Sequence, residues 1–69
     1  MANVEATEVE QQLNGRLVYR IRVSGSGGVL EFPISVQHQA AAGLDETTAL
    51  RNSLALLEQA AAQIRVRLD

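Results

Sequence analysis

Apolar and polar side chains alternate along most of the first half of the chain. The alternation runs through residues 8–13, 16–23 and 30–37, and it is clearest in the middle segment, RLVYRIRV, where arginines fill polar positions. A period of two residues is typical of a β-strand with one face toward a core. The sequence therefore predicts three strands, whose core faces would carry Val9, Leu13, Leu17, Tyr19, Ile21, Val23, Leu30, Phe32, Ile34 and Val36.

Asn14 and Gly15 connect the first two strands. A two-residue turn at this point would place core residues opposite solvent residues all along the hairpin. A three-residue loop that ends at Gly15, with this glycine in the left-handed conformation, keeps like faces together. We therefore predict a bulge-type turn, with the cross-strand pairs Gln12–Arg16, Val9–Tyr19 and Glu8–Arg20.

Residues 24–28 (SGSGG) connect the second and third strands and are predicted to form a flexible hairpin loop. Opposite residues of a sheet point to the same face, so the pairing can be tested on the sequence. Pro33 is suited to an edge strand because it cannot donate a hydrogen bond to a ladder. The second strand is therefore central in a predicted antiparallel meander, and the expected pairs are Val23–Leu30, Ile21–Phe32 and Arg22–Glu31.

Residues 38–44 (HQAAAGL) form the connection to a helical segment. Asp45 is predicted to cap the N-terminus of this helix, with Leu44 before it as a hydrophobic staple. No glycine or proline interrupts the helix-forming residues that follow, so we predict one continuous helix to about Arg67. The alternative is that the alternating end of the chain, residues 64–68 (IRVRL), forms a fourth strand.

Apolar residues recur along this helix at spacings of four and three, which is typical of a heptad seam. One sheet covers one side of one helix, so a second apolar flank favours contact between two copies of the chain. The alternative is that all of these side chains serve the core of one chain. The seam contains Leu50, Leu54, Leu57, Ala61, Ile64 and Leu68, and the residues that we predict for self-association are Leu56, Ala60 and Ile64.

These elements predict an α+β fold: a three-stranded antiparallel meander (β-β-β) followed by one long C-terminal α-helix packed on one sheet face. Residues 1–69 are expected to form a single domain. A chain this short is marginally stable unless disulfides, metals or association help it. It contains no cysteine and a single histidine, His38, so association is the remaining source of stability, and we expect a homodimer or a tight complex with another protein.

The polar side of the predicted sheet is strongly charged. Opposite charges across neighbouring strands stabilise a sheet by about 0.2–1 kcal/mol per pair, so this side has a purely structural interpretation as a solvated face. The functional interpretation is a docking surface for an acidic partner. The candidate partner-binding residues are Arg16, Arg20, Arg22, Glu8, Glu10 and Glu31.

Composition weighs against several classes of partner. The net charge is −2, whereas a domain that binds phosphates usually carries a basic excess, so nucleic acid is an unlikely partner. The two aromatic residues offer few stacking platforms for bases. No apolar run has the length of a membrane span, and the N-terminal residues do not have the pattern of a signal peptide. We expect a cytoplasmic protein without membrane contact.

The sequence contains little that could perform catalysis. His38 is the sole imidazole, with Ser35, Thr47 or Thr48 as conceivable partners in a nucleophilic site. The SGSGG segment lies between two strands, so it lacks the helix N-terminus that holds phosphate in glycine-rich loops. We assign no catalytic, cofactor-binding or metal-binding residue. A small-ligand pocket between sheet and helix is kept as a third candidate function.

Our prediction is a non-enzymatic protein–protein interaction module, a homodimeric regulatory or inhibitor protein of the phage or mobile-element type that acts by binding a larger protein. The alternative is a nucleic-acid-binding regulator that uses the arginines of the sheet. The order of elements resembles that of double-stranded-RNA-binding domains, which carry basic residues at the start of the last helix. Here that position holds Asp45 and Glu46. The order is also similar to that of small antitoxin-like modules.

Overall fold

An open sheet of three strands followed by one helix makes up the described part of the chain. The computed structural model describes residues 2–38 and 43–69. The element order confirms the predicted α+β fold, a meander with one C-terminal helix. The elements are β1 (Asn3–Gln11), β2 (Arg16–Gly25), β3 (Gly28–Gln37) and α1 (Leu44–Leu68).

The β2–β3 hairpin has the predicted register. Strand β2 is central and both pairings are antiparallel, which leaves Pro33 in an edge strand as expected. The turn is tighter than predicted, because Gly25 pairs with Gly28 and the ladder continues almost to the tip. Residues 24–28 are therefore mostly strand rather than a flexible loop. The predicted pairs Val23–Leu30, Ile21–Phe32 and Arg22–Glu31 are all present.

The β1–β2 turn also has the predicted form. Gly15 has a φ of 82°, in the left-handed region that favours glycine. The backbone N–H of Gln12 donates to the carbonyl of Arg16 at 2.8 Å, and the N–H of Gly15 donates to the carbonyl of Gln12 at 3.1 Å. The three-residue loop that ends at Gly15 is therefore confirmed.

A β-bulge at Val9 changes the register beyond this turn. The pairing shifts by one residue between Glu8 and Glu10, so Glu8 lies opposite Tyr19 and Thr7 lies opposite Arg20. The predicted pairs Val9–Tyr19 and Glu8–Arg20 are therefore wrong. The extra residue reverses the side to which each earlier side chain points.

The bulge has a physical advantage for β1. With the shifted register, Ala6 lies opposite Ile21 and Val4 lies opposite Val23, so small apolar residues of β1 share the core side of the sheet. Strand β1 therefore begins at Asn3, five residues before the predicted start. Strand β2 has ten residues, so it is long enough to pair with these additional residues of β1.

The hydrophobic core is small and lies between one side of the sheet and the first turns of α1. Ile21 of the central strand is completely buried, and Ala49 is the helix residue at the centre of the contact. The buried core residues are Leu17, Tyr19, Ile21, Val36 and Ala49, with Ala6, Val23, Phe32 and Ile34 packed around them.

The helix begins without a side-chain cap. Gly43 is the N-cap residue, with a φ of 83°, and its carbonyl accepts a hydrogen bond from the N–H of Thr47 at 3.1 Å. The prediction that Asp45 is the N-cap is therefore wrong, since Asp45 lies inside the first helical turn. Leu44 is the first helical residue and is exposed rather than packed as a staple. Most of the predicted connection, residues 39–42, lies outside the described residues.

The helix is continuous to Leu68 and spans 25 residues, or about 37 Å. The N–H of Asp69 donates to the carbonyl of Arg65 at 3.2 Å and closes the last turn. The prediction of a continuous helix is confirmed, and the alternative of a fourth strand at residues 64–68 is wrong.

Candidate interaction surfaces

Small residues of α1 contact the sheet, not the leucines. The buried helix residues are Asp45, Ala49 and Ser53, which follow one another at intervals of four. The hydroxyl of Ser53 donates to the carbonyl of Ala49 at 2.7 Å, so its polar group is satisfied inside the helix. Alanine and serine at these positions allow the helix backbone to approach the sheet closely.

A hydrogen bond links the start of α1 to the end of β3. Nδ1 of His38, just after β3, lies 2.7 Å from Oδ2 of Asp45, and the aspartate side chain is 12% exposed. This contact turns Asp45 toward the sheet. Because residues four apart share one side of a helix, Ala49 and Ser53 follow on the same side.

The heptad seam of α1 lies mostly outside the buried stripe formed by Asp45, Ala49 and Ser53. At 100° per residue, its centre is about 100° around the helix from Ala49. Leu54 is 58% exposed, Ile64 is 56% exposed and Leu68 is 80% exposed. Leu57 and Ala61 have partial cover. We call the set Leu50, Leu54, Leu57, Ala61, Ile64 and Leu68 the helix seam.

The three residues predicted for self-association are all exposed, and because they follow one another at intervals of four they lie on one side of the helix, between the sheet-facing stripe and the helix seam. Ile64 lies one heptad after Leu57 and belongs to the helix seam. Leu56 lies one heptad after Ala49, and Ala60 lies one heptad after Ser53. These two positions therefore continue the sheet-facing stripe past the point where the helix leaves the sheet. The alternative that all of these residues serve the core of one chain is wrong.

The amount of exposed surface agrees with this description. The accessible surface is 5268 Å², whereas the scaling for a compact monomer of 7.4 kDa gives about 4,200 Å². The surplus of roughly 1,000 Å² is comparable to the ~800 Å² that each partner contributes to a standard protein interface. The radius of gyration of 13.7 Å likewise exceeds the ~11 Å of a compact domain of this length.

The side of the sheet that faces away from α1 carries most of the predicted charges. Arg16, Arg20 and Arg22 all lie there, as does Glu31 opposite Arg22. Glu8 does not, because the bulge places it opposite Tyr19 on the core side. We call this surface the outer sheet face. Its members are Glu5, Thr7, Glu10, Arg16, Val18, Arg20, Arg22, Glu31, Pro33 and Ser35.

The arginines of the outer sheet face differ in their contacts. Nε of Arg16 donates to the hydroxyl of Ser35 at 2.9 Å, and its guanidinium also donates to the Ser35 carbonyl at 3.2 Å. Arg22 lies between Glu5 and Glu31 in the sheet register. Among the described residues, no ion pair within 4.0 Å is recorded for the arginines of this face. The guanidinium groups of Arg20 and Arg22 are thus available to a partner.

A shallow pocket of about 230 Å³ lies beside these arginines. Val9 and Pro33 supply apolar walls, and Arg20 and Glu31 supply charged ones, with Phe32 completing the lining. Val9 contributes because it is the bulge residue. Sequence periodicity assigned Val9 to the core, so this pocket was missed. A second open depression of about 400 Å³ lies at the tip of the β2–β3 hairpin.

Tyr19 lies on the core side, close to several acidic residues. Its pKa is raised above the ordinary value of 10.0, first because burial disfavours the charged phenolate. The negative charges of Glu8, Asp45 and Glu46 act in the same direction. Tyr19 is therefore a neutral core residue near the start of α1.

The groups considered for catalysis have structural contacts in the fold. The imidazole of His38 bonds to Asp45, and the hydroxyl of Ser35 accepts from Arg16. Across residues 2–38 and 43–69, no cluster of three or more side chains could hold a metal ion. Within the same residues, α1 lacks the apolar character needed to cross a membrane.

Comparisons with known proteins give no match: neither a family model, nor a curated protein, nor a solved structure corresponds to this chain.

Proposed function

We propose that this chain is a non-enzymatic protein–protein interaction module that works as a homodimer and regulates or inhibits a larger protein by binding to its surface. The observation that carries the proposal is the exposed helix seam. The hydrophobic core of the described residues has five buried members, so leucines that remain in water favour association because it removes apolar surface from solvent.

The surplus surface supports the same proposal. The surplus is comparable to the area that one partner contributes to a standard interface. A cytoplasmic location, which we also propose, is compatible with the absence of cysteine.

The outer sheet face is the proposed site for the larger protein. It lies on the opposite side of the sheet from α1, so a dimer formed through the helices leaves it accessible. Its shallow pocket can accept one apolar side chain, while Arg20 in the pocket wall and Arg22, two residues further along β2, can bind carboxylates. We therefore propose as the partner a protein surface that presents carboxylates beside a protruding apolar residue.

Nucleic acid is the less favoured partner of this face. Glu5 and Glu31 lie on either side of Arg22, and Arg16 already donates to Ser35. Alternating charges give a mixed potential, which suits a protein surface of mixed charge better than a row of phosphates.

Sedimentation equilibrium over a concentration series tests the self-association. We expect the wild-type chain to sediment with twice its mass of 7.4 kDa at micromolar concentration. Leu54→Gln should shift the equilibrium to monomer without loss of helix by circular dichroism, since Leu54 is already exposed. Val66→Gln is the matched control, because Val66 is 68% exposed but lies on the far side of the helix. A monomeric wild-type chain would refute the homodimer.

Affinity capture from the native host tests the partner. The Arg20→Ala/Arg22→Ala variant should lose the captured protein, whereas Arg65→Ala, an exposed helix arginine, should retain it. Capture of nucleic acid that disappears at high salt would instead support the alternative and overturn the proposed partner class.

A further inference from the structure

The charged residues of α1 are arranged in complementary pairs along the helix seam. Arg51 and Glu58 lie one heptad apart on the flank that faces away from the sheet. Glu46 and Arg67 lie three heptads apart on the flank nearer the sheet. All four side chains are exposed, and among the described residues no ion pair within 4.0 Å is recorded for them. Each flank therefore carries acidic and basic groups without an ion-pair partner among the described residues, and the flank that faces away from the sheet also carries Arg65, one heptad after Glu58.

We propose that two copies of the chain pair through their α1 helices in an antiparallel arrangement, with Leu54 against Leu57 of the partner subunit. The inference rests on the proposed homodimer and specifies its geometry. In this register Leu50 packs against Ala61 of the partner subunit, and Ile64 packs against Thr47 of the partner subunit. Two-fold symmetry repeats every contact, so the helix seam is covered along nearly its whole length.

Electrostatics favour this register. In an antiparallel pair related by a two-fold axis, each flank of one helix faces the same flank of the other. Arg51 then lies beside Glu58 of the partner subunit, and Glu46 lies beside Arg67 of the partner subunit. Each pair occurs twice, which gives four contacts between opposite charges and none between like charges.

Other arrangements of the same helices are less complementary. A shift of one heptad places Arg51 beside Arg65 of the partner subunit and Glu58 beside its own copy, so like charges meet. A parallel pair places Leu57 against itself; it brings Glu46 beside Arg51 of the partner subunit but leaves Glu58 opposite Ser53 of the partner subunit, so it has two contacts between opposite charges instead of four. An antiparallel overlap of only the last turns pairs Glu58 with Arg65 of the partner subunit, but it leaves Leu50 and Leu54 in water.

Small residues near the helix seam permit close contact. Ala60 is exposed on the flank nearer the sheet, and the residue at the corresponding position, Ser53 of the partner subunit, is buried against its own sheet. No long side chain therefore separates the two helices there. Small side chains on facing helices shorten the distance between their axes.

Disulfide trapping tests the arrangement, and the natural chain contains no cysteine that would interfere. Leu54→Cys and Leu57→Cys are produced separately, one of them isotope-labelled, then mixed, equilibrated under reducing conditions and oxidised gently. In an equimolar mixture, random pairing makes about half of the disulfides mixed; the antiparallel register predicts that nearly all of them are mixed, because a disulfide requires Cβ atoms within about 4.5 Å. Val66→Cys reports the background of collisional cross-linking.

The trapping result separates the geometry from the association itself. Homodisulfides of Leu57→Cys in a dimeric protein would show a parallel pair and overturn the register, while the proposed homodimer would stand. A wild-type chain that sediments as a monomer would overturn both.

A charge reversal provides an independent measurement. Arg51→Glu should weaken the dimer by roughly tenfold at low salt, because two attractive contacts become repulsive, and by less at high salt. Arg51→Glu/Glu58→Arg should restore the affinity to within about threefold of wild type. In the register shifted by one heptad, Arg51→Glu would strengthen the dimer, and in the short overlap it would have no effect. Either of these two results would overturn the proposed register.

Discussion

The imidazole of His38 and the carboxylate of Asp45, 2.7 Å apart, join the end of β3 to the first turn of α1. Together with the small side chains of Ala49 and Ser53, this contact orients the helix on the sheet. Because Asp45 is turned toward the sheet, the stripe of Ala49 and Ser53 is buried and the larger seam residues stay in water. The exposed surface that supports the proposed function is therefore a consequence of how the helix begins.

Loss of this contact should destabilise the fold by a measurable amount. His38→Ala and Asp45→Asn should each lower the free energy of unfolding by about 0.5–1 kcal/mol, since the imidazole is partly exposed. The double variant should cost little more than either single one, because both remove the same interaction. Urea denaturation at fixed protein concentration measures the effect, with Glu10→Gln as a matched exposed control. Additive losses would show that the two residues act separately.

The close approach of α1 to the sheet depends on the small side chain of Ala49. Ala49 is completely buried, so Ala49→Leu should force the helix away from the sheet and cost about 1–3 kcal/mol. Ala55→Leu adds the same atoms on the exposed side of the helix and should change stability by less than about 0.5 kcal/mol. Thermal and urea unfolding of the two variants provide the comparison. Equal stability of the two variants would contradict the described packing.

Tyr19 should make stability fall at high pH. Its pKa is raised in the folded state by burial and by the nearby acidic residues, so the folded state holds the phenolic proton more tightly than the unfolded state does. The resulting stabilisation is complete below about pH 10 and is lost as the pH rises through the folded-state pKa. All six basic residues are arginines, so no lysine titrates in this range.

The tyrosinate absorbance of the single tyrosine should therefore have a midpoint above the ordinary value in the folded protein. Tyr19→Phe should remove the corresponding part of the pH dependence of unfolding. Glu8→Gln should bring the midpoint closer to the ordinary value, whereas Glu10→Gln should leave it unchanged. A midpoint at the ordinary value would indicate that Tyr19 is more accessible than the structure shows.

The β1–β2 turn requires a left-handed residue at Gly15. Gly15→Ala should cost roughly 1–2 kcal/mol, because an L-residue with a Cβ is strained at this φ. Gly15→Asn should cost less, since asparagine tolerates the left-handed region. Gly27→Ala is the control in the other hairpin, where an added Cβ meets no atom within 4 Å. The three free energies of unfolding, compared by urea denaturation, test the turn geometry.

Several elements follow directly from local patterns in the sequence. The alternation around Leu17, Tyr19 and Ile21 predicted the central strand, and the glycine after Asn14 predicted the left-handed turn. These features depend on residues that are close in sequence, so period and turn chemistry are enough to identify them. The same holds for the continuous helix, since strong helix formers fill its last half.

The bulge at Val9 was not predictable in the same way. Regular alternation assigned Val9 to the core and Glu8 to the outer sheet face, but the structure reverses both. The choice depends on whether Val4 and Ala6 can reach the core side opposite β2. The regular register and the register with the bulge therefore compete over the whole β1–β2 hairpin. No local pattern in β1 determines which of the two is more stable.

By itself, the sequence determined the order and type of the elements and the presence of more apolar helix surface than one sheet can cover. Only the tertiary structure decided which helix residues are covered. The rotation of α1 is set by the contact between His38 and Asp45 and by the room that Ala49 and Ser53 leave beneath the helix. Helical periodicity gives the spacing of a stripe but not its direction in space, and that direction leaves Leu54 and Ile64 exposed.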